Sequence, residues 1–290
     1  MPLSKAEWLS LEKKADELRR LTLDTTFWAG SGHIGGGLSV LDMLTVLYYK
    51  YMNIKVDDPD WEDRDRFILS KGHAAIAYAP VLCEIGFNDK EQLKTFNLTN
   101  SKMGIHLDSN KVVGVDASTG SLGHGLSIAV GTALAARLLN KDYKTFCILG
   151  DGECNEGSNW EAAMTASHYK VTNVISFVDR NMCMIDGRTE DIMSLEPFCD
   201  KWESFGFIVK EIDGNNIKEI CEAIDFAYDN KTDKPVMIIA NTKKGSGISF
   251  IEDDYRWHYG ALDEEMYEKA KTELDKSYKE RVARAEKEGA

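Results

Sequence analysis

The sequence predicts a doubly wound α/β fold, a mostly parallel sheet with helices on both faces. From residue 123 onward, short apolar runs alternate with segments of three-and-four helical spacing. Strands buried on both faces read this way, whereas one-sided strands alternate apolar with polar residues. Directly after one such run comes the turn Gly150-Asp151-Gly152. It falls where open α/β sheets hold their ligands, beyond the carboxyl ends of the strands.

Residues 3–30 carry Trp8, Leu11, Ala15, Leu18 and Leu21 among charged residues, a helical spacing that stops by Gly30-Ser31-Gly32 and delivers His33 into a loop. Ser39 offers a cap to a second, buried helix running through Tyr49. After the turn at Asp58-Pro59-Asp60-Trp61, the run from Arg66 to Ser70 is a strand or a buried extended segment that ends at Gly72-His73. Helices follow over 126–139, 160–167 and 217–228, with strands over 145–149, 174–178, 207–212 and 235–240. These elements form one domain, residues 1–262. Residues 263–290 are a charged helical tail, expected to be solvated or to lie against a partner.

Composition removes several classes of function. A chain of 290 residues with 43% hydrophobic and 29% charged residues is ordinary for a soluble globular protein. No run approaches the roughly 18 apolar residues of a membrane span. The charged amino terminus lacks the apolar stretch of a secretory signal, so a cytoplasmic location is expected. A net charge of −13 argues against nucleic acid, which needs a basic face. Small molecules are the expected partners. The cysteines at 83, 147, 154, 183, 199 and 221 show no zinc-site spacing and read as free thiols.

Two loops at strand ends carry hard oxygen donors 30 positions apart, Asp151 in the Gly-Asp-Gly turn and Asn181 in Asp179-Arg180-Asn181. On neighbouring strands they would share one sheet edge and suit Mg²⁺ or Ca²⁺ completed by phosphate oxygens. Read alone, the same residues also fit a plain turn and a loop amide. The histidines at 33, 73, 106, 124 and 258 sit in loops or beside glycines, and only His168 lies in a helical pattern. A single loop histidine is usually a surface or structural group. Several together suggest a pocket that handles hydroxyls and phosphate, because each imidazole can donate, accept and pass protons.

The run GDGECNEGSNWEAAMTASHYKVTNVISFVDRN resembles the thiamine-diphosphate motif in its transketolase form. That resemblance implies Asp151, Asn181 and the main-chain carbonyl of Cys183 as metal ligands, with Gly152 against the diphosphate. DRDRFILSKGHAAIA is similar to a transketolase signature and assigns His73 to the diphosphate region. STGSLGHG resembles STGSLGQG, implying that Gly120, Ser121 and Leu122 meet the cofactor, with His124 in place of the usual Gln. SGHIGG resembles an SGHPGG-type loop and implies His33 as a substrate-binding, proton-handling residue. Ile34 there replaces a common proline. NTKKGSGISF and WHYGAL resemble the segment that brings Lys244 and His258 to the cofactor, with His258 also at the substrate. His106 is carried over as a substrate contact although the surrounding family sequence differs. Glu156 and Glu161 are either a solvated helix face or acids at a contact between paired subunits.

The resemblance runs from about residue 5 to 265 and stops where a pyrimidine-binding portion would begin. It therefore implies an amino-terminal transketolase subunit, active with a separate carboxy-terminal subunit in an assembly of two plus two, moving a two-carbon ketol unit between sugar phosphates. A truncated piece of a longer enzyme also fits, but the initial Met and a terminal helix of its own favour the split enzyme. Other readings are a deoxyxylulose-phosphate-synthase-like or branched-ketose enzyme, or a non-catalytic paralogue that has lost ligands. Asp151, Asn181 and the loop histidines are all present.

Overall fold

In the computed structural model, which describes residues 3–289, the apolar runs form five strands in the order β1-β2-β3-β5-β4. They are β1 (Arg66–Leu69), β2 (Thr145–Gly150), β3 (Val174–Arg180), β4 (Ile208–Asp213) and β5 (Val236–Asn241), and every pair is parallel. Gly150 at the end of β2 pairs in register with Asp179 near the end of β3, so the two donor loops leave the sheet side by side.

Successive strand residues feed two cores. Phe146, Ile148, Ile175, Phe177 and Ile238 face the core shared with helices α1 (Lys5–Ala29), α2 (Ile34–Val46), α3 (Ala75–Glu84) and, after β4, a further helix at Ile217–Asp229. Cys147, Leu149, Val178, Met237 and Ile239 face the opposite core, built with α4 (Gly125–Leu138) and α5 (Gly157–His168). Helices thus cover both faces, which is why the central strands are mostly apolar. A short helix α6 (Thr189–Ile192) and then α7 (Phe198–Ser204), with buried Trp202, follow β3. The helix at Ile217–Asp229 is α8 and the last is α9 (Glu264–Glu288).

Two sequence readings need correction. Ser39 does not cap the second helix. That helix starts at Ile34 with His33 at its N-cap position, and Ser39 is buried inside it, donating to Asp179 Oδ2 at 2.6 Å. The glycines that read as loop are there for close approach: a Cβ on Gly35 would lie 2.6 Å from the Trp257 carbonyl oxygen, and one on Gly37 would lie 2.6 Å from Ile76 Cγ2. Residues 47–51 leave α-geometry and continue as a π-helical turn.

Residues 263–287 do form a helix, but its inner face is not left to solvent. Ala270, Leu274 and Ala285 are buried against the main core, and Arg281 reaches Glu12 of α1 at 2.6 Å and Asp42 of α2 at 2.5 Å. No helix among the described residues is long and apolar enough to cross a membrane.

Candidate active site

The ends of β1, β2 and β3, the start of α2 and the loop after β5 surround a cavity of about 400 Å³. His33, His73, His106 and His258 line it, as do Gly120, Leu122, Asp151, Gly152, Asn181, Cys183 and Lys244. Ser121 is exposed and does not line it, and His124, at the N-cap position of α4, is exposed as well. Glu156 lies on the cavity wall, while Glu161 faces outward on α5.

Chain geometry explains the donor oxygens. Asp151 Oδ2 accepts from the backbone N–H of Met182 at 2.6 Å, and Oδ1 accepts from Gly152 N–H at 2.8 Å, which ties the end of β2 to the loop after β3. Asn181 Oδ1 accepts from Cys183 N–H at 3.2 Å. The Cys183 carbonyl accepts from Lys244 Nζ at 3.3 Å. Among the described residues, no three His, Cys, Asp or Glu side chains converge as a metal cluster. The set that does converge is one carboxylate, one amide oxygen and one carbonyl, all hard donors. Each carboxylate oxygen keeps a lone pair beyond its backbone hydrogen bond. Burial and the nearby Asp179 carboxylate push Asp151 up to about 6. A site that disfavours its own negative charge in this way gains by taking up a cation.

Around these oxygens the wall is basic and imidazole-rich. Lys244 is 1% exposed and contacts His258 Nδ1 at 3.0 Å, and burial together with Lys71 lowers its ammonium to about 8. The ring centroids of His33, His73 and His258 form a near-equilateral triangle with sides of 5.2, 5.2 and 5.3 Å, and His106 lies 6.3 Å from His33. Burial and neighbouring cationic groups lower His33 to about 4 and His258 to about 3, push His73 well below the ordinary value, and burial lowers His106. At neutral pH these rings are uncharged, each with one donor and one acceptor nitrogen. The Nδ1 of His33 is buried without a partner.

These features fit a metal-bound diphosphate. The donor chemistry suits a hard cation, and two ammonium groups and a cluster of imidazoles face the space beside it. Glycine opens the wall, since a Cβ on Gly36 would lie 3.4 Å from Lys71 Nζ and 3.7 Å from His73 Nε2.

Comparison with known proteins gives the family. The family described as "Transketolase, thiamine diphosphate binding domain" matches residues 10–286. The chain belongs to this transketolase family. It is 40% identical over 280 residues to an apulose-4-phosphate transketolase subunit of Phocaeicola vulgatus, covering 96% of this chain and 97% of that one. The 6-deoxy-6-sulfo-D-fructose transketolase subunit SqwG of a Clostridium species is 42% identical over 268 residues, 92% of this chain and 97% of that one. Human transketolase is 35% identical over 266 residues, 91% of this chain but 42% of the human one. The crystal structure of Campylobacter jejuni transketolase superposes with a TM-score of 0.85 at 32% identity, covering 95% of this chain and 45% of that one. The transketolase-type chain described here therefore spans less than half of those longer enzymes.

The motifs did not single out several residues that build this cavity. Lys71 is 1% exposed, donates to the Gly36 carbonyl at 3.0 Å and pairs with Asp179. Asp179 also accepts from Ser39 and Thr242, so it gathers α2, β1 and β5 at the end of β3. Glu153 is buried beside the Gly-Asp-Gly turn. Tyr259 packs edge-on to His33 at 4.9 Å and shares a hydrogen bond with Ser31 at 2.7 Å. Lys71 and Glu153 are adjacent to recognised motif residues, and that adjacency was the available signal.

Proposed function

We propose that the chain is the amino-terminal subunit of a split transketolase, binding the diphosphate of thiamine diphosphate through Mg²⁺ or Ca²⁺ and working with a carboxy-terminal subunit. The observation that carries this reading is the meeting of Asp151, Asn181 and the Cys183 carbonyl in one cavity with Lys244 and the imidazoles of residues 33, 73, 106 and 258. Two relatives named as transketolase subunits match it over nearly their whole length.

Bound thiamine diphosphate supplies the electron sink for cleaving the bond beside a ketose carbonyl. The chain's own residues do the rest of what this half can do. Asp151, Asn181 and the Cys183 carbonyl hold the divalent ion, while Lys244, His73, Gly152 and the Gly120–Leu122 loop hold the diphosphate. His33, His106 and His258 bind sugar hydroxyls, and neutral His33 and His258 take up and return protons there. The reaction is transfer of a two-carbon ketol unit from a ketose phosphate to an aldose phosphate, in the cytoplasm, by an assembly of two plus two subunits. A phosphorylated or sulfonated sugar is the expected substrate class, in keeping with the names of the relatives.

The test is reconstitution. The purified chain should show no ketol transfer, and activity should appear on adding a separate pyrimidine-domain subunit together with Mg²⁺ and thiamine diphosphate. Full activity of the chain by itself would overturn the split-enzyme reading.

A further inference from the structure

We infer that Glu153 is the positioning residue that sets the cofactor cradle, clamping three loops with one acceptor-only carboxylate; this rests on the proposed thiamine diphosphate site. Its side chain is 3% exposed. Oε1 accepts from the Ser70 hydroxyl and from Gly123 N–H at 2.9 Å, and Oε2 accepts from Gly150 N–H at 3.0 Å. Ser70 leads into the loop carrying Lys71 and His73. Gly123 closes the Gly120–Leu122 loop, and Gly150 precedes Asp151 and Gly152. One carboxylate thus touches three of the four segments assigned to the diphosphate, all but the loop carrying Lys244.

The contacts leave no slack for these loops to be held otherwise. A Cβ on Gly125 would lie 2.2 Å from Ser70 Oγ, and one on Gly72 would lie 2.6 Å from the Thr119 carbonyl carbon. Ser158 Oγ donates to the Gly123 carbonyl at 2.9 Å, and Asn159 Nδ2 donates to the Glu153 carbonyl at 2.7 Å, so α5 braces the clamp from behind. Glu153 Oε1 already receives two donors from the protein, whereas each oxygen of the metal ligand Asp151 receives one. A negative charge beside a diphosphate is unfavourable as a direct contact. Its value lies in accepting hydrogen bonds from two backbone N–H groups that can only donate.

Glutamine separates shape from acceptor chemistry. In Glu153→Gln the amide must turn an N–H toward either Gly150 N–H or Gly123 N–H, since Ser70 alone can reverse its role. Binding of Mg²⁺-thiamine diphosphate to the full chain is measured by titration calorimetry, and amide hydrogen exchange is followed at Gly123, Gly150 and the central strands. Ile224→Val, in buried α8, serves as a mildly destabilised control. The expected result is a Kd raised at least tenfold in Glu153→Gln only, with faster exchange at Gly123 and Gly150 and unchanged protection in β3 and in the rest of β2. Wild-type binding that Glu153→Gln retains within threefold overturns this inference alone, as does an equal loss in the control. No binding by the wild-type chain, at millimolar cofactor, overturns the functional reading and this inference with it.

Discussion

Lys244 Nζ lies 3.0 Å from Nδ1 of His258 and 3.3 Å from the carbonyl of Cys183. An ammonium only donates, so the contact fixes His258 with its acceptor at Nδ1 and its N–H at Nε2. The lysine therefore organises a histidine and a carbonyl together, and does so while almost fully buried.

Replacing that lysine by methionine keeps the volume and removes the charge. Charge-assisted hydrogen bonds in buried settings contribute about 1.5–3 kcal/mol. Lys244→Met should weaken Mg²⁺-thiamine diphosphate binding by roughly 10- to 100-fold. Calorimetric titration of the variant checks this, and an unchanged Kd removes Lys244 from the cofactor's partners.

The imidazoles should resist protonation. Burial first, then His106, Lys244 and Lys71, bring His33 from 6.5 down to about 4. Between those values the folded chain binds fewer protons than the unfolded chain, so stability falls as pH drops through that window. NMR of histidine-labelled protein, with His33 assigned by His33→Asn, should show its ring neutral at pH 6. An ordinary midpoint near 6.5 would remove the buried, cation-flanked environment described for it.

Strands β2, β3 and β5 were legible because a sheet covered on both faces demands apolar residues on both sides of a strand, and Phe146–Leu149, Ile175–Val178 (apart from Ser176) and Met237–Ile239 supply them. The Gly-Asp-Gly turn could be placed for the same reason, since it follows such a run. The start of α2 was not legible. Gly35, Gly36 and Gly37 have poor helix propensity, and only the tertiary contacts of Gly35 and Gly37 show why a helix there needs them. Helix α3 was missed because it is buried all round and carries no amphipathic stripe. In the site, the histidines and Asp151 announced themselves by motif, but Lys71, Asp179 and Glu153 act through side-chain and loop partners such as Gly36, Ser39 and Ser70, 35, 140 and 83 positions away in sequence, which no local pattern encodes.

A second buried charge cluster lies away from the cavity. Asp42 is fully buried and accepts from Arg19 Nη2 at 2.6 Å, Arg281 Nη2 at 2.5 Å and Asn215 Nδ2 at 3.1 Å. Burial opposes its charge, yet Arg19 and Arg281 together hold the carboxyl well below the usual carboxylate range. A depressed folded value contributes stability that is present above the unfolded value of 3.8 and is lost as pH falls below it. Asp42→Asn should cost about 3–5 kcal/mol near neutral pH by leaving buried guanidinium groups underpaired. Denaturant unfolding should show the gap between wild type and variant narrowing below about pH 4.

Two glycine-to-alanine changes should behave oppositely although the added group is the same methyl. At Gly72 a Cβ would lie 2.6 Å from the carbonyl carbon of Thr119 and 2.7 Å from both its oxygen and the nitrogen of Gly120. These are backbone atoms with no rotamer to yield, so the loop carrying Gly120 and Leu122 must shift. Gly72→Ala should cost about 1–3 kcal/mol and weaken cofactor binding as well. Gly131, midway along α4, has nothing within 4 Å of its added Cβ. There alanine removes the helix penalty of glycine, and the chain should gain up to about 1 kcal/mol with cofactor affinity unchanged. Thermal unfolding and calorimetric titration of both variants decide the matter: equal effects at the two positions would mean that the Gly72 contact does not shape the cradle.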